Sequence, residues 1–340
     1  MSREERCGIL AAGNFIVDRI KRIDAFPEES MLANIEDEMR SNGGGPYNVL
    51  KDLAAMGAEY PLMAAGCIGT DADGDWIRGD CQAHGVDTSR LVSEADYPTS
   101  YTEVMTARKS GRRTFFHHRG ANANFDGRQL DFTDCPTRLF HLAYLMLLDA
   151  LDEFSDDGRS GAAHLLEKAS SAGMITSIDI VSAENQRFRD IVLSATPYTD
   201  HLLINEVEAS RVLGFSVDPA DPRGLLAAAE ALLATGVRQA VVIHTEHGSV
   251  TSRRDGHAYT QGAVRLPEDS IIGANGAGDA FAAGYLHGVH EDFPPKFALE
   301  LAVSTAASCL ADTSPSAAML PLDECLALGR TQGFQEFEVS

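Results

Sequence analysis

The sequence is poor in positive charge, and this sets a first limit on its function. It has 28 lysines and arginines against 50 aspartates and glutamates, a formal net charge of −22. Proteins that bind nucleic acid need a basic face to neutralise phosphates, so no nucleic-acid partner is expected. Long apolar runs are missing as well. The longest extends from Leu142 to Leu148, far below the roughly 20 residues of a membrane helix, so no membrane span is expected.

Cysteine is sparse and shows no pattern of metal binding. The six cysteines form no C-x-x-C pair, and no histidine lies at zinc-finger spacing from them. Reduced cysteines in apolar runs behave as small hydrophobic residues, which indicates a reducing compartment. The first residues also lack the apolar core of a secretory signal. The prediction is a cytoplasmic protein.

Apolar, strand-like runs alternate with helical patterns along most of the 340 residues. The predicted strands are residues 8–12, 61–65, 139–145, 174–179, 201–204 and 240–243. The predicted helices are residues 47–56, 74–83, 158–171, 206–213 and 222–234. Continuous apolar strands separated by helices are typical of a parallel sheet covered on both faces. The sequence therefore predicts an α/β fold with a doubly wound, mostly parallel sheet and helices on both faces.

Two intervals interrupt this alternation. Residues 14–37 and 98–118 show the polar alternation of extended strands, with a hairpin turn at Lys109-Ser110-Gly111. Strands without their own helices often form a flap that excludes water from an α/β site, and a plain edge extension of the main sheet is the alternative. No Pro/Gly/Ser-rich linker is present. We therefore predict one domain over residues 1–340, with a small β lid from these two intervals.

The strongest local signal is a glycine-rich segment that leads into a helical pattern. It runs Gly273-Ala-Asn-Gly276-Ala277-Gly278-Asp279 and continues into apolar residues at helical spacing. Backbone N–H groups at such a helix start form an anion cradle, which the helix dipole strengthens. The segment is neither a Walker A loop nor G-x-G-x-x-G. A helix-capping aspartate after a packing turn is the alternative.

Three further segments point to a binding site. Asn42-Gly-Gly-Gly-Pro-Tyr-Asn48 precedes a helix, and its glycines would let the backbone approach a polyhydroxylated ligand. Residues 65–74 contain a second pattern, G-x-x-G-x-D. Asn205 and Glu208 follow the predicted strand at 201–204, and ligands bind at the carboxyl ends of parallel strands. The spacing N-x-x-E is also that of a common helix cap.

In this order, the segments resemble the ribokinase-like (PfkB-type) family of carbohydrate and nucleoside kinases. The resemblance covers nearly the whole chain, from the residues 13–18 to the segment around Asp279. Its most specific parts are Gly43-Gly44-x-x-x-Asn48 and G-A-G-D-A-F at residues 276–281. The resemblance implies a ribokinase-like fold and an ATP-dependent kinase that uses Mg²⁺ and phosphorylates a hydroxyl of a sugar-like small molecule.

The resemblance also implies a role for each matching residue of the catalytic centre. Asp279 would be the base that accepts the proton of the attacking hydroxyl, and the helix dipole would keep its carboxylate ionised. The anion hole for the transferred phosphoryl group would be formed by Gly276, Ala277 and Gly278. Mg²⁺ and its waters would be ordered by Asn205 and Glu208.

Substrate and nucleotide residues follow from the same resemblance. The acceptor would be held by Asp18, Gly43, Gly44, Asn48 and Asp149. The nucleotide would lie near Thr245, Gly248, Ala306, Ala307 and Ser308. From the lid, His117 or Arg119 would reach the substrate.

Two other functions stay open at this point. A nucleoside kinase would hold its sugar with Asp18, Gly44 and Asn48 and would need an apolar lid pocket for the base. A ligand-binding protein that kept the fold but lost turnover is the second alternative. Because exposed strand edges tend to pair, the lid strands are the candidate interface of a homodimer.

The chain departs from the family pattern in two places. The family usually writes the last motif as D-T-x-G-A-G-D, where this chain has Gly273 and Ala274. In many members the aspartate of that pair helps to hold a monovalent cation beside the anion hole. A cation bound only by neutral oxygens should bind weakly, so little activation by K⁺ is expected. The second departure is Thr245, which stands where a glycine is more common.

Overall fold

Nine strands form the main sheet of the protein, which a computed structural model describes over residues 6–339. Strands are numbered along the whole chain, and those of the main sheet are β1 (Ile9–Gly13), β4 (Leu62–Gly69), β5 (Asp87–Glu94), β8 (Leu139–Leu145), β9 (Ile175–Ile180), β10 (His201–Asn205), β11 (Ala240–His244), β12 (Gly248–Arg253) and β13 (Ala258–Gly262). Their spatial order is β13-β12-β11-β10-β9-β8-β1-β4-β5. The seven strands from β11 to β5 run parallel, whereas β12 and β13 form an antiparallel edge.

Helices cover both faces of this sheet. They are α1 (Gly45–Ala55), α2 (Ala72–Ala83), α3 (Asp149–Asp152), α4 (Gly161–Ser171), α5 (Phe188–Ala195), α6 (Glu206–Leu213), α7 (Pro222–Leu233), α8 (Ala277–His290), α9 (Pro295–Cys309) and α10 (Leu322–Gln332). Alternate residues of β1 enter two separate cores: Leu10 packs with α3 to α7, and Ile9 packs with α1, α2 and α8 to α10. The predicted doubly wound, mostly parallel sheet with helices on both faces is confirmed.

Four further strands form a second sheet, here called the lid sheet. They are β2 (Ile16–Ile23), β3 (Ile35–Gly43), β6 (Tyr101–Ala107) and β7 (Arg113–His118), in the order β3-β2-β6-β7. The turn expected at residues 109–111 joins β6 to β7, with Gly111 at φ 65°. Strand β3 continues past residue 37, because it stays paired with β2 as far as the partners Gly43 and Ile16. The glycine-rich segment is therefore partly strand, and the lid sheet leads directly into α1.

The sequence patterns do not predict every element. Strands β5, β12 and β13 and helices α3, α5 and α10 fall outside the predicted ranges. The two edge strands β12 and β13 carry many polar residues, so they lack the continuous apolar run by which a central strand is recognised. No helix among residues 6–339 is long and apolar enough to cross a membrane.

Candidate active site

Asp279 lies in the first turn of α8, directly after the glycine-rich segment, and is only 3% exposed. Gly276 precedes the helix with φ 79°, and a Cβ atom there would lie 2.5 Å from the Cβ of Pro315. Gly278 is different, since a Cβ there would approach only the ring of His244, at 3.6 Å. Glycine is thus required at position 276, both by the positive φ and by the close approach of Pro315. The space over Gly278 is open, as a cradle for an anion requires.

Two side chains donate hydrogen bonds to the carboxylate of Asp279. The amide of Asn48 donates to Oδ2 at 2.7 Å, and the hydroxyl of Tyr144 donates to the same oxygen at 2.8 Å. The Oδ1 of Asn48 accepts a hydrogen bond from Asn42 at 2.8 Å. Asn48, predicted to bind the acceptor, is therefore engaged at both ends within the protein. Tyr144 ends the apolar run of β8, where nothing in the sequence distinguishes it from a core residue.

Burial raises the pKa of Asp279, and the negative charges of Asp179 and Asp18 raise it further. The hydrogen bonds from Asn48 and Tyr144 act in the opposite direction. The helix dipole was expected to keep this carboxylate ionised, but burial and the neighbouring charges act against the ionised form and the pKa is raised. A raised pKa makes the carboxylate of Asp279 a stronger base than that of an exposed aspartate.

The acceptor candidates Asp18, Gly43 and Gly44 meet where the lid sheet joins α1. A Cβ at Gly43 would lie 2.3 Å from Oδ1 of Asp18, and one at Gly44 would lie 2.0 Å from the carbonyl oxygen of Asn14. Gly43 therefore lets the chain pass close to the side chain of Asp18, and Gly44 lets it pass close to the backbone at Asn14. This is a different reason for glycine from the predicted approach of a ligand. Asn275 donates to Asp18 at 3.4 Å, and burial raises the pKa of Asp18 to about 7.

Asn14 also lies at this junction, although it was not among the predicted site residues. Its Nδ2 donates to the carbonyl of Tyr144 at 3.1 Å, while its Oδ1 is buried and has no hydrogen-bond partner within residues 6–339. A buried acceptor without a donor is costly, so a ligand hydroxyl would suit it. Asp149 does not join this group. Its half-exposed carboxylate instead pairs with Arg119 at 2.5 Å.

A cavity of about 620 Å³ lies on the other side of the anion cradle. Four of the predicted nucleotide residues line it together with two of the cradle, namely Thr245, Gly248, Ala306, Ala307, Ala277 and Gly278. Its walls also include apolar side chains that suit a flat aromatic base, namely Val264, Leu266, Phe281 and Val303. Ser308 does not line the cavity, because its buried hydroxyl donates to the carbonyl of Ala318 at 2.8 Å.

A second cavity, of about 240 Å³, contains Asp279 in its wall. The predicted Mg²⁺ residues Asn205 and Glu208 line it as well, and so does Asp179 at the end of β9. Both cavities have His244 and Gly278 in their walls, so the two spaces adjoin at the anion cradle. A ligand that fills the larger cavity could therefore extend to Asp279.

Asn205 and Glu208 form a reciprocal helix cap at the start of α6. The Oδ1 of Asn205 accepts the N–H of Glu208 at 2.8 Å, and Oε2 of Glu208 accepts the N–H of Asn205 at 3.0 Å. Burial raises the pKa of Glu208 to about 7. Within the described residues no group of three or more His, Cys, Asp or Glu side chains could hold a metal ion. The oxygen donors fit Mg²⁺ only in its usual mode, in which several waters stay bound.

His244 ends β11 between the two cavities and was not predicted as a site residue. Its ring packs against Phe281, with 4.9 Å between ring centres, and burial lowers the pKa of His244 to about 4. The imidazole is therefore neutral at physiological pH.

A buried aspartate beside an anion cradle, with adjoining cavities for two reactants, is the arrangement of an enzyme that transfers a phosphoryl group. The family comparison agrees with this class, because residues 8–321 match the model of the pfkB family of carbohydrate kinases. The chain belongs to this family. It is a phosphotransferase with an alcohol group as acceptor.

Known proteins across the family resemble the chain over most of its length. Adenosine kinase of Schizophyllum commune is 28% identical over 260 residues, which are 72% of either chain. The 5-dehydro-2-deoxygluconokinase of Clostridium perfringens is 24% identical over 285 residues, 81% of this chain and 79% of its own. The structure of Arabidopsis thaliana ribokinase with ribose and ATP covers 95% of this chain and 98% of its own, with a TM-score of 0.76 and 19% identity. The predicted ribokinase-like fold is confirmed.

Proposed function

We propose that the protein transfers the γ-phosphoryl group of ATP to a hydroxyl of a sugar or sugar-like molecule, with Asp279 as the base. The observation that carries this proposal is the junction of the two cavities at Gly278. A nucleotide in the larger cavity would direct its terminal phosphate towards the cradle and Asp279. An acceptor between Asp18 and Asp279 would then present its hydroxyl to that phosphate.

The proposed reaction forms one bond and breaks one. The acceptor oxygen attacks the γ-phosphorus, the bond from that phosphorus to the β,γ-bridging oxygen breaks, and the hydroxyl proton moves to Asp279. Because the transition state is loose, the protein acts mainly by positioning and by stabilising charge. Asn48 and Tyr144 would orient the carboxylate of Asp279, and the backbone at Gly276, Ala277 and Gly278 would bind the transferred oxygens.

Mg²⁺ is proposed as the cofactor that accompanies ATP. When bound, it would neutralise charge on the phosphate oxygens. Asn205 and Glu208 would order its waters, and Asp179 adds a third oxygen-bearing side chain in the wall of the same cavity. A divalent cation nearby would favour the ionised form of Glu208, whose pKa burial alone raises to about 7.

A nucleoside is the second candidate acceptor, supported by the similarity to adenosine kinase over 72% of the chain. The lid sheet offers apolar side chains that could contact a base, since Phe115 and Met39 are 55% and 44% exposed. The sugar part would use Asp18 and Asn14 in either case. The two candidate acceptors differ only in whether the lid sheet must also cover a nucleobase.

The lid sheet is also the proposed interface of a homodimer. Seven large apolar side chains are exposed on the lid sheet or in the loop between β2 and β3: Phe26, Met31, Leu32, Ile35, Met39, Phe115 and Phe116. Such a patch on a monomer marks an interaction surface. A cytoplasmic location remains our prediction, supported by six cysteines that are all free and of which five are buried.

The experiment that tests the function is an assay of ADP release across sugars and nucleosides, with wild type and Asp279→Asn. We expect turnover with at least one acceptor, and a loss of at least about 10²-fold in kcat for the variant. Nucleotide affinity, measured by direct titration, should stay nearly unchanged. Asp323→Asn, in the exposed first turn of α10, is the matched control. If the Asp279 variant kept more than about a tenth of wild-type kcat, the role of base would be refuted.

A further inference from the structure

The inner face of the lid sheet carries an arginine that the proposed mechanism does not use. Side chains four residues apart on a strand lie on the same face, so Arg22 shares the face of Asp18. Arg22 stands opposite Thr106 in the neighbouring strand β6, and Thr106 stands opposite Arg113 in β7. Opposed residues project to one side of a sheet. Arg113 therefore projects on the side of the sheet that carries the acceptor candidate Asp18.

Arg113 has no ion pair or hydrogen-bonded partner within residues 6–339, although it is half-buried. Four other arginines of the lid region are paired with a carboxylate, namely Arg19, Arg22, Arg40 and Arg108, whereas Arg112 is exposed at the tip of the hairpin. Burial lowers the pKa of Arg113, and Asp18 is the acidic side chain whose negative charge counteracts this. A half-buried guanidinium without a hydrogen-bonded partner keeps all five donors available for a ligand.

The charges that act on Arg113 indicate which part of the cleft its side chain faces. Its charge interacts with Asp18 of the lid sheet and with the thiol of Cys309 at the end of α9. That thiol donates to the carbonyl of Asn275 at 3.3 Å, and Asn275 itself donates to Asp18 at 3.4 Å. The guanidinium thus faces the corner between Asp18 and Asn275. None of these residues lines the nucleotide cavity, and Asp18 is a predicted acceptor residue, so we assign the corner to the acceptor.

The charge balance of the cleft shows what Arg113 could select. The negative charges of Asp18 and Asp179 both act on Asp279 there, and the whole chain has a net charge of −22. A neutral sugar needs no cation in such a cleft. An anionic acceptor would be repelled unless a fixed positive charge offset the carboxylates. A guanidinium meets a carboxylate or phosphate with two parallel hydrogen bonds, which a lysine cannot do.

We propose that Arg113 binds an anionic group of the acceptor, so that the preferred substrates are sugars that carry a carboxylate or a phosphate. The proposal rests on the proposed kinase function and specifies its substrate class. The phosphorylated hydroxyl lies at the Asp279 end of the acceptor, and the anionic group lies at the opposite end, under β7. Arg113 is a specificity-determining residue that acts on the bound substrate and takes no part in proton transfer.

The test measures the binding of matched pairs of ligands in the presence of Mg²⁺ and the β,γ-imido analogue of ATP. D-Gluconate is compared with D-glucitol, and D-ribose 5-phosphate with D-ribose, by calorimetry on the full chain. At least one anionic member should bind about tenfold or more tightly than its neutral partner. The first pair reports on a carboxylate and the second on a phosphate.

Three variants then assign the preference to one side chain. Arg113→Gln should abolish it, and Arg113→Lys should leave only part of it, because the charge stays while the paired geometry is lost. Arg112→Gln, at the exposed tip of the same hairpin, should leave it unchanged. The KM for ATP should not move in any of the three.

The outcomes separate this inference from the proposed function. If the anionic probes bind through Arg113 but no acceptor is ever phosphorylated, the kinase function fails and the anion site stands. If neither anionic probe binds better than its neutral partner, or if Arg113→Gln keeps the preference, the anion site is refuted while the kinase function stands.

Discussion

Asp279 experiences two opposed influences on its charge. The first turn of α8 favours a carboxylate, as do the donors Asn48 and Tyr144, whereas burial and the neighbouring acids disfavour it. The balance leaves a raised pKa, which suits a base that must accept a proton late in a phosphoryl transfer. Activity should therefore fall on the acid side at a pH well above the ordinary range of an aspartate.

Tyr144→Phe tests the balance at this residue. The tyrosine hydroxyl donates to the carboxylate and stabilises its ionised form, so removing it should raise the pKa of Asp279 further. Catalysis needs the ionised base, and the acid limb of kcat/KM should therefore move to higher pH, by about one unit. The measurement is kcat/KM from pH 5 to 9. Tyr60→Phe, whose hydroxyl contacts His287, is the control, and an unmoved acid limb in Tyr144→Phe would contradict the proposed contact.

Gly273 is the residue on which the predicted response to monovalent cations rests. A side chain there would begin 2.9 Å from the carbonyl oxygen of Asp312, so the backbone closes the position where the family usually has an aspartate. Without that anionic oxygen, a cation would have only neutral ligands to offset its desolvation. We expect little or no activation of the initial rate by KCl beyond that of NaCl or a bulky organic chloride at matched ionic strength. A saturable, several-fold rise specific to K⁺ would disprove this expectation.

At the scale of elements, the junction of β3 and α1 connects the lid sheet to the catalytic centre. Gly44 stands between the last residue of β3 and the first residue of α1, with φ 88°. A Cβ atom at Gly44 would lie only 2.0 Å from the carbonyl oxygen of Asn14. One turn into α1, Asn48 reaches Asp279. Movement of the lid sheet about this junction would therefore also displace Asn48, which donates a hydrogen bond to the carboxylate of Asp279.

Gly44→Ala and Gly57→Ala form a matched pair at this scale. Both glycines have a positive φ, of 88° and 84°, but a Cβ at Gly57 would meet no atom within 4 Å. Gly57→Ala should lower the free energy of unfolding by about 1–2 kcal/mol from backbone strain alone. Gly44→Ala should cost roughly twice as much or more, because the Cβ would overlap the Asn14 oxygen. Urea unfolding measures both, and equal losses would show that the close approach is unimportant.

For the whole molecule, the two sheets differ in how completely they are covered. The main sheet has a hydrophobic core on each face, whereas the lid sheet leaves large apolar side chains in water. Leu32 and Met31, in the loop between β2 and β3, are 83% and 69% exposed. A second copy of the chain would cover this surface through the edge or the face of the lid sheet.

Light scattering coupled to gel filtration tests this assembly. We expect a dimer for the wild type at micromolar concentration and a monomer for the double variant Leu32→Glu, Phe116→Glu, because buried charges in an apolar interface are strongly unfavourable. Phe215→Glu, an equally exposed phenylalanine outside the lid sheet, is the control and should stay dimeric. A monomeric wild type would refute the proposed interface.

The sequence by itself determined the parallel sheet and the position of Asp279, the proposed base. Strands β1, β9 and β10 are recognisable because burial on both faces demands continuous apolar runs, and that demand is local to each strand. The glycine cradle and Asp279 are equally local, since the turn and the helix start lie within a few consecutive residues.

Only the tertiary structure decided which side chains surround the base and how strongly they affect it. Asn48 meets Asp279 across 231 residues of chain, and Tyr144 meets it across 135. Asp179 and Tyr144 carry no local pattern, and Asn14 lies in the segment 13–18 without being singled out, because what makes them part of the site is proximity in the folded chain. The pKa of Asp279 was misjudged for the same reason: the helix dipole can be inferred from neighbouring residues, whereas burial depends on every element packed around the carboxylate.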